Sequence, residues 1–139
     1  MIDLIKHIVF NYNKVIFLAP NDITKLLNQY KLFEIDAIAI DYDPKFLNKE
    51  FYINKDFVFD NVNLNAELII HMNVEKTYPI GLPKNTDVVL VGDDENHNGD
   101  CTFIDSCEKI IKLYNIKKIY KQEWIKSKKK NHYYVYGQV

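Results

Sequence analysis

Short apolar runs alternate with polar breaks along this chain, and the spacing inside each run assigns it to helix or strand. Ile2, Ile5, Ile8 and Val9 recur at helical spacing, so residues 2–10 read as a short amphipathic helix that Asn11-Tyr12-Asn13 breaks. Residues 14–18 form a continuous apolar run after Lys14, the pattern of a strand buried on both faces. Ala19-Pro20-Asn21-Asp22 ends it. Asn21 or Asp22 can cap the next helix, 23–32, whose apolar face is Ile23, Leu26, Leu27 and Tyr30. Residues 36–41 predict a second buried strand, closed by Tyr42-Asp43-Pro44. Apolar stretches at 51–53 and 57–59 compete for the third.

Residues 68–72 predict the central strand, which ends abruptly in polar residues. In an open parallel sheet, ligands bind just beyond the carboxyl ends of the strands. His71, Asn73 and Glu75 fall at such an end. Two prolines within 77–83 keep any helix there short. Residues 87–92 form the clearest strand, the loop 93–100 is polar, and 105–114 reads as a helix with Ile110, Ile111 and Tyr114 inward. Residues 117–124 and 132–136 read as two strands around a lysine-rich turn, an antiparallel hairpin at the sheet edge.

Strands alternating with helices, then a terminal hairpin, predict an α/β fold: a Rossmann-like, mostly parallel sheet with a C-terminal antiparallel hairpin. No repeat or linker interrupts the chain, so residues 1–139 are expected to form a single domain. The link from 41 to 51 is short for a parallel crossover, which usually needs about a dozen residues. Some crossover helices are therefore expected to be missing. That would leave part of one sheet face apolar and uncovered, so self-association or a protein partner is expected.

Hydrophobic residues are 47% of the chain and charged residues 27%, a soluble, globular profile. The net charge of -1 gives no global attraction for nucleic acid. The one basic cluster, Lys126 with Lys128, Lys129 and Lys130, reads as a solvated turn. No apolar run reaches the length of about 18 residues that spans a bilayer. An early acid and no small-residue cleavage site argue against a signal peptide. Cys101 and Cys107 are poor disulfide partners, which suits a reducing, cytoplasmic setting. Richness in Ile, Lys, Asn and Tyr suggests an AT-rich coding source such as a virus or a low-GC bacterium. For a viral chain the setting would be the host cytoplasm or the virion.

The order of these pieces, from Lys14 to Val139, resembles class I S-adenosylmethionine-dependent methyltransferases. Within them it looks closest to small methyltransferase-like proteins of tailed phages, whose central strand ends in a segment like Asn-Thr-Ser-Cys-Glu-His-Met. Here that segment reads His71-Met72-Asn73-Val74-Glu75-Lys76-Thr77 and keeps only Glu75. The resemblance implies S-adenosylmethionine as cofactor. It places the ribose-binding acid at Asp41, with Asp43 as alternate, and the adenine contacts at Asp56 and Phe57. Ala19 and Asn21 would line the methionine part. A carboxylate suits a ribose because it accepts from two hydroxyls at once. Asp41 and Asp43 also read as a turn before Pro44. The chain departs from the family at the first loop, where Ala19-Pro20-Asn21-Asp22 replaces a glycine-rich turn. Two functions follow: a small methyltransferase of unspecified acceptor, or a non-catalytic pseudo-methyltransferase that serves as an interaction or virion-associated protein.

Two further constellations carry chemistry. Methyl transfer needs mainly positioning, with a base to remove a proton from the nucleophile. By strand alternation His71 and Asn73 share a face that Glu75 continues, which makes these three the catalytic candidates. His71 reads equally as a packed core histidine. Asp94, Asn96, Asn98, Asp100 and Asp105, with Gly99 for the turn, fit a calcium-loop spacing with Asp in place of the final Glu. That spacing allows a calcium-stabilised binding domain. Asp and Asn are also ordinary loop residues. His97, Cys101 and Cys107 fit no standard zinc spacing.

Overall fold

The structure, a computed structural model, describes residues 2–95 and 99–139, with side chains from residue 4 onward. The elements run α1 (Ile2–Val9), β1 (Lys14–Leu18), α2 (Thr24–Leu32), β2 (Asp36–Ile40), β3 (Tyr52–Ile53), β4 (Leu68–His71), β5 (Asp87–Asp93), α3 (Cys107–Tyr114), β6 (Lys118–Lys126) and β7 (Asn131–Gln138). Single 3-10 turns occupy Pro44–Phe46 and Val74–Lys76. Seven strands form one sheet in the order β3-β2-β1-β4-β5-β7-β6, mostly parallel with antiparallel strands at the C-terminus. The chain divides into two compact units, Met1–Ile70 and His71–Val139.

In the first unit β1 and β2 run parallel, with Lys14 opposite Asp36 and Leu18 opposite Ile40. Val15 to Leu18 are at most 1% exposed, which is why that run shows no polar alternation. Leu26, Leu27 and Tyr30 are the buried face of α2, and Tyr30 stacks on Phe17 at 6.2 Å. Ile5 and Val9 bury the matching face of α1. Glu67 Oε1 accepts from the Asn13 and Lys14 amides and so fixes the start of β1.

The third strand is Tyr52–Ile53, paired parallel with Ala39 and Ile40, and not 57–59. Residues 56–60 instead close a turn. The Asp56 amide donates to Asp60 Oδ2, the Asp60 amide to the Asp56 carbonyl, and Phe57 is buried. No α-helix lies between β2 and β4 or between β4 and β5. The short β2–β3 link manages with the 3-10 turn alone. Asp43 Oδ1 accepts from the Lys45 amide and Pro44 sits in the first turn, so Phe46 is driven inward, 1% exposed, onto the Tyr52 ring at 4.3 Å.

In the second unit β7 lies between β5 and β6, antiparallel to both. The hairpin is longer than the sequence pattern predicts, because its turn is only Ser127–Lys130, closed by the Ser127 amide on the Lys130 carbonyl. α3 starts at Cys107 rather than 105, since Ser106 is its cap and accepts from the Lys109 amide. It ends on Asn115 in the left-handed region. Residues 77–83 form no helix. Among the described residues no helix is long and apolar enough to cross a membrane.

Gly137 of β7 faces Ile119 of β6, and a Cβ there would stand 2.2 Å from the Lys118 carbonyl oxygen. Backbone cannot yield as a side chain can. Gly137→Ala is expected to lower the unfolding free energy by about 1–3 kcal/mol or more. Urea unfolding of the two proteins checks this.

Candidate functional site

The carboxyl ends of β1 and β2 are held together by one buried acid. Asp41 follows the last residue of β2 and is 3% exposed. Its Oδ2 accepts from the Asn21 amide at 3.0 Å and its Oδ1 from the Asp43 amide at 3.1 Å. Asn54 closes the same corner, with Nδ2 donating to the carbonyls of Asp41 and Asp43. Tyr52 works from β3. Its hydroxyl donates to the Asn21 carbonyl at 2.7 Å and accepts from the Ile23 amide at 2.9 Å.

These contacts explain how the loop after β1 does without glycine. Ala19 and Asn21 both adopt positive φ, 46° and 61°, the left-handed region where glycine is usual. That conformation costs roughly 1–2 kcal/mol per residue, less for Asn. A hydrogen bond to a charged acceptor returns about 1.5–3 kcal/mol, and each neutral one about 0.5–1.5 kcal/mol. One Asp41 bond and two Tyr52 bonds together offset the strain. Asp22 adds a local turn, with Oδ1 accepting from the Thr24 amide and hydroxyl. The Thr24 hydroxyl is the main reason its carboxyl sits below the ordinary range. The first residue of the α2 cap is nevertheless Ile23, without a side-chain cap.

The other expected cofactor contacts have local duties. Asp43 caps the 3-10 turn. Asp56 Oδ1 accepts from the Val58 amide at 3.0 Å, and Phe57 is 7% exposed.

In the second unit the expected catalytic residues do not share one strand face. β4 ends at His71 and a 3-10 turn carries Val74–Lys76, so alternation stops before Glu75. His71 is fully buried. Its Nε2 lies 2.8 Å from Thr77 Oγ1, the Asn73 amide donates to its Nδ1 at 3.4 Å, and the Tyr114 ring meets it edge-on. With Nδ1 accepting, Nε2 carries the proton toward Thr77. Asn73 is half-buried.

Glu75 is 2% exposed, and its carbonyl is pinned by the Cys101 and Thr102 amides. Its Oε2 has no hydrogen-bond partner. Burial pushes its carboxyl up to about 7, and the nearby Asp93 carboxylate adds to this. Backbone amides and Lys76 oppose it in part. Asp93 is itself paired with Lys130 Nζ at 3.2 Å, and that ammonium also reaches Glu95. The buried Tyr114 hydroxyl makes no hydrogen bond of ordinary geometry, although Thr77 and Glu75 stand close enough to affect its ionisation. Burial pushes it up to about 12. The arrangement can hold and release one proton near neutrality.

The calcium spacing meets a different use of its first residue. Asp94 accepts from the Asn131 amide and side chain at 2.8 Å each and from the Tyr133 hydroxyl at 3.1 Å, so both its oxygens serve the start of β7. The Asn131 amide is the main cause of its lowered carboxyl pKa. Asp105 accepts from the Ser106 hydroxyl. Asn96 and Asn98, with His97, lie outside the described residues. Among the described residues no group of three or more His, Cys, Asp or Glu could hold a metal ion. Cys107 donates to the Glu123 and Tyr134 carbonyls, and burial raises its thiol pKa, so it is a poor nucleophile.

No family model matches the sequence, and no curated relative does. The fold has well-matched counterparts. The N-methyltransferase NodS from Bradyrhizobium japonicum WM9 superposes with a TM-score of 0.68 at 9% identity, covering 99% of this chain and 92% of that one. The Burkholderia thailandensis 1,6-didemethyltoxoflavin-N1-methyltransferase, solved with 1,6-didemethyltoxoflavin and S-adenosylhomocysteine, gives 0.64 at 7% identity, over 97% and 75%. The fold is therefore class I methyltransferase-like.

Sequence reasoning missed Tyr52, Asp93, Tyr114 and Lys130. Nothing in spacing marks the Tyr52 hydroxyl, because its partners lie 29 and 31 residues away. Asp93 had one signal: an acid ending an apolar strand.

Glu75 sets a pH dependence with a definite sign. Its carboxyl titrates at about 7 when folded, against an ordinary value of 4.5. The folded chain therefore binds the proton more tightly. That contribution is complete below about 4.5 and is lost as pH rises through about 7. The interval corresponds to roughly 3 kcal/mol. Glu75→Gln is expected to flatten the stability profile between about pH 4.5 and 7. Urea unfolding at several pH values reads it.

Proposed function

We propose that the protein is a small S-adenosylmethionine-dependent methyltransferase whose N-terminal unit binds the cofactor at the carboxyl ends of β1 and β2. The observation that carries this reading is the Asp41 corner: an acid at the end of β2 beside a loop that keeps left-handed backbone at Ala19 and Asn21. A carboxylate has about four acceptor sites, and the two amides use two. The remainder can take the ribose hydroxyls. Asp56 and Phe57 are the proposed adenine contacts, and Ala19 and Asn21 border the methionine part. The cofactor, when bound, supplies the activated methyl group. Glu75 is proposed to accept the nucleophile's proton, because its carboxyl titrates near neutrality. His71 is proposed to position the segment 71–77 through Thr77 and Asn73. The structural likeness to two N-methyltransferases supports methyl transfer as the reaction class.

A second reading is a non-catalytic pseudo-methyltransferase that acts as an interaction protein. It is favoured by the burial of Asp41 and by the backbone amide on each of its oxygens.

Calorimetry with S-adenosylmethionine and its demethylated product separates the two. The first reading expects saturable heat with wild type, and Asp41→Ala to weaken binding by about 1–3 kcal/mol, the cost of stranding polar partners. Absence of heat and of any thermal shift at about 1 mM cofactor, an affinity worth only about 4 kcal/mol, would leave the second.

A further inference from the structure

β6 is the outermost strand of the sheet, and seven of its nine residues are exposed. Its outer backbone groups have no strand beside them, which makes it a template for another strand. Exposed apolar side chains run along it: Ile119 and Tyr120 at 46% and Trp124 at 58%. Its sequence, Lys118-Ile119-Tyr120-Lys121-Gln122-Glu123-Trp124-Ile125-Lys126, is close to a palindrome about Gln122.

We propose that two copies of this chain associate by antiparallel pairing of β6 with β6 about a two-fold axis at Gln122. Each copy then presents the same edge to the other, as a closed two-fold contact requires. Gln122 meets Gln122 of the second copy. Lys121 meets Glu123 twice. Trp124 meets Tyr120, and Ile125 meets Ile119. The β6–β7 register slips between Ile119 and Lys121, which turns Tyr120 onto Tyr136 at 5.0 Å. The central segment Lys121-Gln122-Glu123 lies on the regular side of that bulge.

Charge selects this register over its neighbours. Moving the axis to Lys121 sets Lys121 against its own copy, and moving it to Glu123 does the same with Glu123. Like charges directly opposite each other in a ladder are unfavourable. Within one copy Lys121 Nζ already lies 3.0 Å from Glu123 Oε1, so the two side chains share a face and form an alternating patch with their two-fold mates. Lysines on an edge usually block pairing. Here Lys121 finds an acid, and only Lys118 and Lys126 meet each other, at the ends.

Sedimentation equilibrium of the full chain at about 100 μM, where a weak specific interface is populated, is expected to show a dimer. Glu123→Lys and Lys121→Glu are each expected to be monomeric, with melting curves showing that both stay folded. Mixed in equal amounts, they are expected to dimerise again, because each then offers the charge the other lacks. The intrachain pair stays like-charged in both, so recovery reports only the contact between copies. A monomeric wild type, dimers that persist in either variant alone, or a mixture that stays monomeric would each overturn the proposal.

Discussion

A single carboxylate ties together the carboxyl ends of β1 and β2 in the first unit. Asp41 joins the loop after β1 to the turn after β2 through two backbone amides, while Tyr52 holds the first loop and Asn54 the second. Its position follows from register. Ile40 is the last strand residue opposite Leu18, so the next side chain falls where β1 ends. The support for this clasp comes from an unexpected direction. A crossover helix is missing between β2 and β3, and the 3-10 turn in its place presses Phe46 onto the Tyr52 ring. The ring is fixed, and its hydroxyl reaches the same loop that Asp41 holds. A feature that looks like a defect of the crossover therefore supplies two of the loop's hydrogen bonds.

Two buried carboxyl groups of this chain show how partners decide behaviour at similar burial. Asp41 has a backbone donor on each oxygen. Glu75 has one oxygen without any, and the nearby carboxylate of Asp93, which is paired with Lys130, disfavours a second negative charge. Desolvation without a compensating donor favours the neutral acid. The first arrangement suits a fixed acceptor, and the second suits a group that takes up and releases a proton.

The inner strands β1, β2, β4 and β5 were legible because they are largely buried on both faces, so their apolar runs are nearly unbroken. β1, β2, β4 and β5 each lie within a residue or so of their expected bounds. β3 was not legible: two residues carry no period, and Phe57 is apolar for reasons of packing. The positions of Asp41 and Glu75 at strand ends could be read from the chain. Their roles could not, because those depend on what faces them. The loop after β1 lacks the glycines of the resembling family, yet Ala19 and Asn21 take the left-handed backbone anyway. The bonds that allow it come from residues 20 and 31 positions away in sequence from Asn21, beyond the reach of any local pattern.

The two edges of the sheet differ in a way that bears on association. β3 offers only two residues, too few to template a partner strand, and short edges of this kind are a common protection. β6 offers nine. Its inner neighbour β7 has buried Tyr133, Tyr134 and Val135, which anchor the hairpin. Trp124 stacks on Tyr133 and Tyr120 packs on Tyr136, so these exposed rings are held rather than free to collapse elsewhere. Rigid aromatic side chains lose little entropy on contact, which favours their use at interfaces. The β6 edge is long and anchored, its rings are fixed, and Lys121 and Glu123 are matched within it.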